Sequence, residues 1–180
     1  MNLDELAVDY YHSSLAFAQK SLIAGLTVAG IAYLVAITGD PQSSYTIPLI
    51  EVEVTSLIYF SIALLTLFLA CGAACFYGVS KALDNWRLIS DKELSFRLLQ
   101  VPNLFMSGIV IDSLLYGFII MVGMGLSKNL LALNDWQAVA LGIVIAFPYF
   151  CAFRTSSDLR HLSKNQLSHD KANTVENRSL

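Results

Sequence analysis

Four apolar runs, each about the length of a bilayer crossing, alternate with short polar connectors along the chain. The runs are clumped rather than periodic, at about residues 21–38, 57–79, 104–126 and 136–153. The third, Leu104 to Leu126, is about 23 residues, so as a helix it reaches ~35 Å, enough to cross a ~30 Å hydrocarbon core with some tilt. The pattern predicts an all-α, four-helix transmembrane bundle. Residues 1–163 form the four-span membrane domain and residues 164–180 a polar, disordered cytoplasmic tail.

Between the spans the patterning changes. Residues Leu3 to Lys20 can be helical, with Leu6, Tyr10, Leu15 and Ala18 roughly along one stripe, and can run unbroken into the first span. Gly39-Asp40-Pro41 ends that helix. Ile50, Val52 and Val54 then alternate with Glu51, Glu53 and Thr55, which is strand patterning and predicts a short extended segment in the first outer loop. Between the second and third spans, Ser90-Asp91-Lys92-Glu93 reads as a capping box opening a short helix that ends before Pro102. This helix could lie in the headgroup plane or present a docking surface to another protein. Trp86 and Trp136 stand where interfacial anchors belong. Pro148 lies inside the fourth run and is expected to kink it.

Composition agrees with the runs. At 56% hydrophobic and 14% charged residues, the chain is far from the roughly 25% charged of soluble domains. No basic tract points to nucleic acid, so no direct nucleic-acid binding is expected. The first twenty residues carry Asp4, Glu5 and Asp9 before any Lys or Arg, which is unlike a cleavable signal peptide. Lys and Arg set the orientation. Lys20 precedes the first span, Lys81, Arg87, Lys92 and Arg97 follow the second, and Arg154, Arg160, Lys164, Lys171 and Arg178 follow the fourth. Only Lys128 is on the other side, so the positive-inside rule predicts both termini in the cytoplasm of a multi-pass protein of the cell inner (plasma) membrane.

Asp112 is the one charged side chain well inside an apolar run, where a carboxylate costs ~2.5–3.5 kcal/mol even on lenient scales. Eight residues past Leu104, it is expected ~12 Å in from the cytoplasmic edge. The same depth on the other spans lands near Ala29, Cys71 and Ile145, with Thr27, Gly30, Gly72, Gly142 and Tyr149 within about a turn. Lys and Arg are missing from that level. Asp112 is therefore either interhelical hydrogen-bonding glue or a functional group, and is the candidate intramembrane functional residue.

Cys71 and Cys75 sit one turn apart, but zinc wants about four N or S donors and the three histidines lie outside the spans. No metal, cofactor or catalytic residue is expected. With no P-loop, no Gly-rich dinucleotide signature and no nucleophile beside a base, the chain is expected not to be an enzyme. Small-residue faces (Gly25 and Ala29; Ser113 and Gly117; Gly72 to Cys75) predict a homo-oligomer in the lipid bilayer. Trp86, Arg87, Lys92, Arg97, Arg154 and Arg160 are the candidate docking residues for a soluble cytoplasmic protein partner. Asp40, Glu51, Glu53 and Asp135 outnumber Lys128 outside, so a ring of subunits would have an acidic mouth, and the second reading is an oligomeric ion channel or pore-forming effector using Asp112.

In size and layout (four spans, both termini inside, little outside) the chain resembles the four-span membrane subunit of the bacterial Kiwa anti-phage defence system. The resemblance is one of topology over the whole chain and carries no motif. It implies a membrane sensor of infection, serving antiviral defence beside a soluble nucleic-acid-binding subunit.

Overall fold

The structure is a computed structural model that describes residues 3–38, 45–47, 52–54, 57–99, 104–106, 109–131 and 133–176. Several side chains inside these ranges, among them Lys92, Asp112 and those beyond Leu159, lie outside the description. Among the described residues there are five α-helices: α1 (Leu3–Thr38), α2 (Leu57–Arg87), α3 (Lys92–Leu99), α4 (Ile109–Leu131) and α5 (Asp135–Glu176). A 3₁₀ turn, Leu104–Met106, precedes α4. The strand patterning after the first helix is realised as an antiparallel hairpin of β1 (Tyr45–Ile47) and β2 (Val52–Val54), with Thr46 opposite Glu53. The expected extension of that pattern to Ile50, Glu51 and Thr55 lies outside the described residues.

Three helices, Leu3–Val35, Tyr59–Arg87 and Asp135–Leu159, are long and apolar enough to cross a membrane. Their lengths of 33, 29 and 25 residues exceed the runs that identified them. Within α4, Ser113–Gly125 is a shorter apolar helical stretch. α1 packs along α2, α2 along α5, and α5 along α4. The polar ends of the helices collect at one end of this bundle, hereafter the head, and the hairpin lies at the other.

In lipid the tails are as apolar as Leu, so close backbone approach rather than apolar burial holds helices together. Glycines mark the crossings. A Cβ added to Gly78 of α2 would stand 2.9 Å from the Ala18 Cβ of α1. At the far end, one on Gly123 of α4 would stand 3.0 Å from the Gly142 Cα of α5. Either helix pair would have to separate to admit a larger residue.

Two expectations are corrected here. The helix expected as the third span starts at Ile109, not Leu104, because Leu104–Met106 folds as a separate turn whose Phe105 is buried, its ring 5.5 Å from that of Phe153. The segment read as a disordered tail is helical to Glu176. Extending an existing helix avoids the nucleation step, and Lys164, Gln166, Leu167, Lys171 and Ala172 are all good helix formers. α5 also passes through Pro148 as one helix.

Candidate functional site

At mid-bundle the three long helices are locked by one side chain. Tyr149 of α5 is fully buried, and its hydroxyl donates a 2.9 Å hydrogen bond to the Phe68 carbonyl of α2. The ring sits 4.9 Å from that of Phe68. Gly25 of α1 and Gly72 of α2 make room for it. A Cβ on Gly25 would overlap the Tyr149 hydroxyl, and one on Gly72 would stand 2.6 Å from the ring. Cys75 is buried and Cys71 half-buried close by, both as free thiols. Among the described residues no group of His, Cys, Asp or Glu could hold a metal ion.

The same contacts set the heights of the helices against one another. Gly123 meets Gly142, and the Tyr116 ring lies 5.1 Å from that of Phe150, so α4 and α5 run antiparallel. Continuing that register brings position 112 opposite the turn around Arg154. The Gly25–Tyr149 contact likewise makes Lys20 of α1 level with Arg154. Asp112 is therefore the fourth residue of α4, at the head-side border where Lys20 and Arg154 stand. The register thus does not bring position 112 to the expected level of Ala29, Cys71, Ile145 and Gly142, while the surroundings of its side chain lie outside the described residues. The run looked uninterrupted by composition, whereas the helix that carries it starts five residues later. A carboxylate in the first turn of a helix is favoured by the macrodipole.

Exposed large apolar residues form a belt above this border. Phe76 and Tyr77 on α2, Leu114 on α4 and Phe150 on α5 edge it on the head side. Tyr33, Tyr59 and Trp136 edge it on the hairpin side, Trp136 at 86% exposure, as an interfacial anchor requires. From Tyr59 to Lys81 is about 33 Å of helix, which matches a bilayer core. At the hairpin side Asp135 pairs with Lys128 at 2.6 Å, so it adds no net charge to the expected acidic mouth. Asp40 and Glu51, the other contributors to that expectation, lie outside the described residues, as does the side chain of Glu53.

Below the border the helices continue into a packed head. Ala7, Tyr11, Leu15 and Ala18 of α1 are buried, so the buried stripe keeps Leu15 and Ala18 of the expected one but takes Ala7 and Tyr11 in place of Leu6 and Tyr10. Asn85 donates to the Ser14 hydroxyl at 3.4 Å, and the Ser90 amide to Asp4 at 3.1 Å, tying the start of α1 to the end of α2. Neither bond has a sequence signature, since each joins residues more than seventy positions apart.

The cap of α3 differs from expectation by one residue. Asp91, not Ser90, accepts from the amides of Glu93 (2.9 Å) and Leu94 (3.2 Å), and Glu93 turns instead to Arg97 at 2.6 Å. The apolar face of α3 lies neither in a headgroup plane nor open to a partner. Leu98 and Leu99 are buried, the latter with Leu83 of α2 and Leu159 of α5.

The candidate docking residues therefore divide. Trp86 is half-buried and donates its indole N–H to the Ser95 carbonyl at 3.0 Å, so it is an internal tie rather than a membrane anchor. Arg87, Arg97 and Arg154 are exposed on the head, Arg97 paired with Glu93. Lys92 and Arg160 have helical backbones but their side chains lie outside the described residues.

The small-residue faces divide too. Gly25, Ala29, Gly72 and Cys75 are spent inside the bundle, while Gly117 has nothing within 4 Å of a would-be Cβ and Ser113 is exposed. Comparison with protein families, with curated proteins and with solved structures finds no match to this chain. What the geometry defines is a helical bundle with three membrane-length apolar helices and an ordered polar head.

Proposed function

We propose that this chain is a non-enzymatic, multi-pass inner-membrane subunit with four spans and both termini in the cytoplasm. It oligomerises in the lipid bilayer and anchors or signals to a soluble cytoplasmic protein partner through its head. The observation that carries the reading is the head itself: α1, α2 and α5 all run past the apolar belt and, with α3, build a packed body rimmed by Arg87, Arg97 and Arg154. An ordered platform of that kind serves recognition better than it serves anchorage, for which the belt suffices. The fourth span is supported by connectivity, since α4 leads from the head to the end where α5 begins.

The layout resemblance to the Kiwa membrane subunit adds a role, that of the membrane sensor in an anti-phage defence system. The pore reading gains no support. Tyr149, Phe68 and Leu64 fill the middle of the bundle, so a conducting path through Asp112 would have to run between copies.

The test is purification of the full-length chain in gentle detergent with identification of what accompanies it. A soluble protein in fixed ratio, lost when Arg87, Arg97 and Arg154 are all changed to Glu at matched membrane levels, is the expected result. Purified chain that carries no partner and conducts ions in planar bilayers would replace this reading with the pore.

A further inference from the structure

One flank of α1 in the head is apolar and uncovered. Leu3, Tyr10 and Phe17, spaced by seven residues and so on one stripe of the helix, are 80%, 53% and 48% exposed. Leu3 and Tyr10 lie below the border marked by Lys20, and Phe17 lies next to it, level with Val79 of α2 by the Gly78–Ala18 contact. Residues 3–19 carry Asp4, Glu5 and Asp9 and neither Lys nor Arg. Asp9 stands exposed next to Tyr10 whereas Asp4 is engaged by the Ser90 amide, so the seam of about 21 Å carries its acidic charge at Asp9.

The same chain carries a helix of opposite charge at the same height. Beyond Leu159, α5 continues to Glu176, and residues 160–171 hold Arg160, Lys164 and Lys171 against the single carboxylate Asp170. Within one copy, α2 packs extensively on both α1 and α5, which among the described residues share no extended packing of their own. The Gly25–Tyr149 contact aligns the two helices. About sixteen residues headward on each, ~24 Å, Asp9 and Tyr10 come level with Lys164 and Asn165. By the same count Leu3 and Asp4 come level with Lys171 and Asp170. A bilayer holds every copy at one height, so copies related by rotation about its normal keep this correspondence.

We propose that the Leu3–Tyr10–Phe17 flank of α1 is the docking seam for the α5 extension of a second copy, packed antiparallel with Asp9 near Lys164 and the start of α1 near Lys171. It rests on the oligomer in the function proposed above and names the surface that makes it. Each copy gives one helix and receives another, so the contact is head-to-tail and closes into a ring when the rotation allows.

The experiment uses full-length chains in native membranes. Two differently tagged copies are co-expressed, one Asp9→Cys and the other Lys164→Cys, each shown to react with a single-headed maleimide, and are then treated with a short bis-maleimide. The wild-type chain, whose thiols lie in the bundle, sets the background. The expected result is an adduct of twice the chain mass bearing both tags, lost when Tyr10→Asp is added to the first copy. In a single chain carrying both substitutions, a cross-link within one copy and no doubled mass would overturn the proposal. So would the absence of any two-tag adduct from two labelled copies. Co-purification of a soluble partner is read separately, so failure of the seam and failure of the proposed function are distinguishable.

Discussion

Tyr149 does at the residue scale what no single position in a soluble core needs to do. It fills the centre of three helices and bonds a backbone carbonyl where lipid offers no alternative partner. Tyr149→Phe keeps the ring and removes the donor, and is expected to cost ~0.6 kcal/mol, up to ~1.7, the range for interhelical bonds in membranes. Gly72→Leu puts a branched side chain where the ring lies and is expected to cost about 1–3 kcal/mol by overpacking. Unfolding midpoints in one detergent check both; a Gly72→Leu chain as stable as wild type would mean that Tyr149 does not occupy this slot. Asp112 belongs at this scale as well. As a first-turn carboxylate its neutralisation in Asp112→Asn is expected to cost only about 0.3–1 kcal/mol, leaving the native mass unchanged in nanodiscs. Loss of the assembled species would instead reveal a role in holding copies together. Gly72 and Tyr149 were legible as sharing one depth in the spans, and Gly25 as part of a small-residue face with Ala29. Their meeting was not, because nothing in a sequence says which of three helices donates the large side chain.

Among the elements, α3 shows how a short amphipathic helix can be misassigned from its pattern alone. Its apolar positions are equally suited to a headgroup plane, a partner or the chain's own helices. The choice falls to Leu83 and Leu159, which arrive from α2 and α5 to meet Leu99. Leu99→Ala is expected to cost about 2–5 kcal/mol of local stability, and Trp86→Phe about 0.5–1.5 kcal/mol through the lost bond to Ser95. Both should speed amide hydrogen exchange across Lys92–Leu99 and leave exchange in the apolar belt unchanged. Uniform loss of protection throughout would show that head and bundle unfold together. The cap was readable to within one residue, since Ser90 and Asp91 both suit an N-cap and only the path of the preceding turn selects Asp91.

For the whole molecule, charge sets the expected orientation and packing sets how the helices fit together. Ten of the eleven Lys and Arg residues lie on the head side of the apolar runs. Reporter fusions after Leu180 are therefore expected to be active only in the cytoplasm. A fusion active on the outer side would invert the arrangement, and the head would then face away from any cytoplasmic partner. The three membrane-length helices run past Lys20, Lys81 and Arg154 into the head, so cations stand where the apolar belt gives way to it.

By itself the sequence determined the helical, membrane-length character of three of its apolar runs, the strand patterning and the charge asymmetry. These follow from composition along a line, because a bilayer reads each segment by its length and apolarity almost independently of the others. The tertiary structure alone decided where helices begin within apolar sequence, as at Ile109. It also decided which small residues face one another, that Trp86 ties two helices instead of meeting lipid, and that Asp112 stands level with Arg154. These depend on the heights of helices against one another, which are set by a few close contacts such as Gly25 with Tyr149 and Gly123 with Gly142. Such contacts join residues distant in the chain, and local patterning carries no record of them.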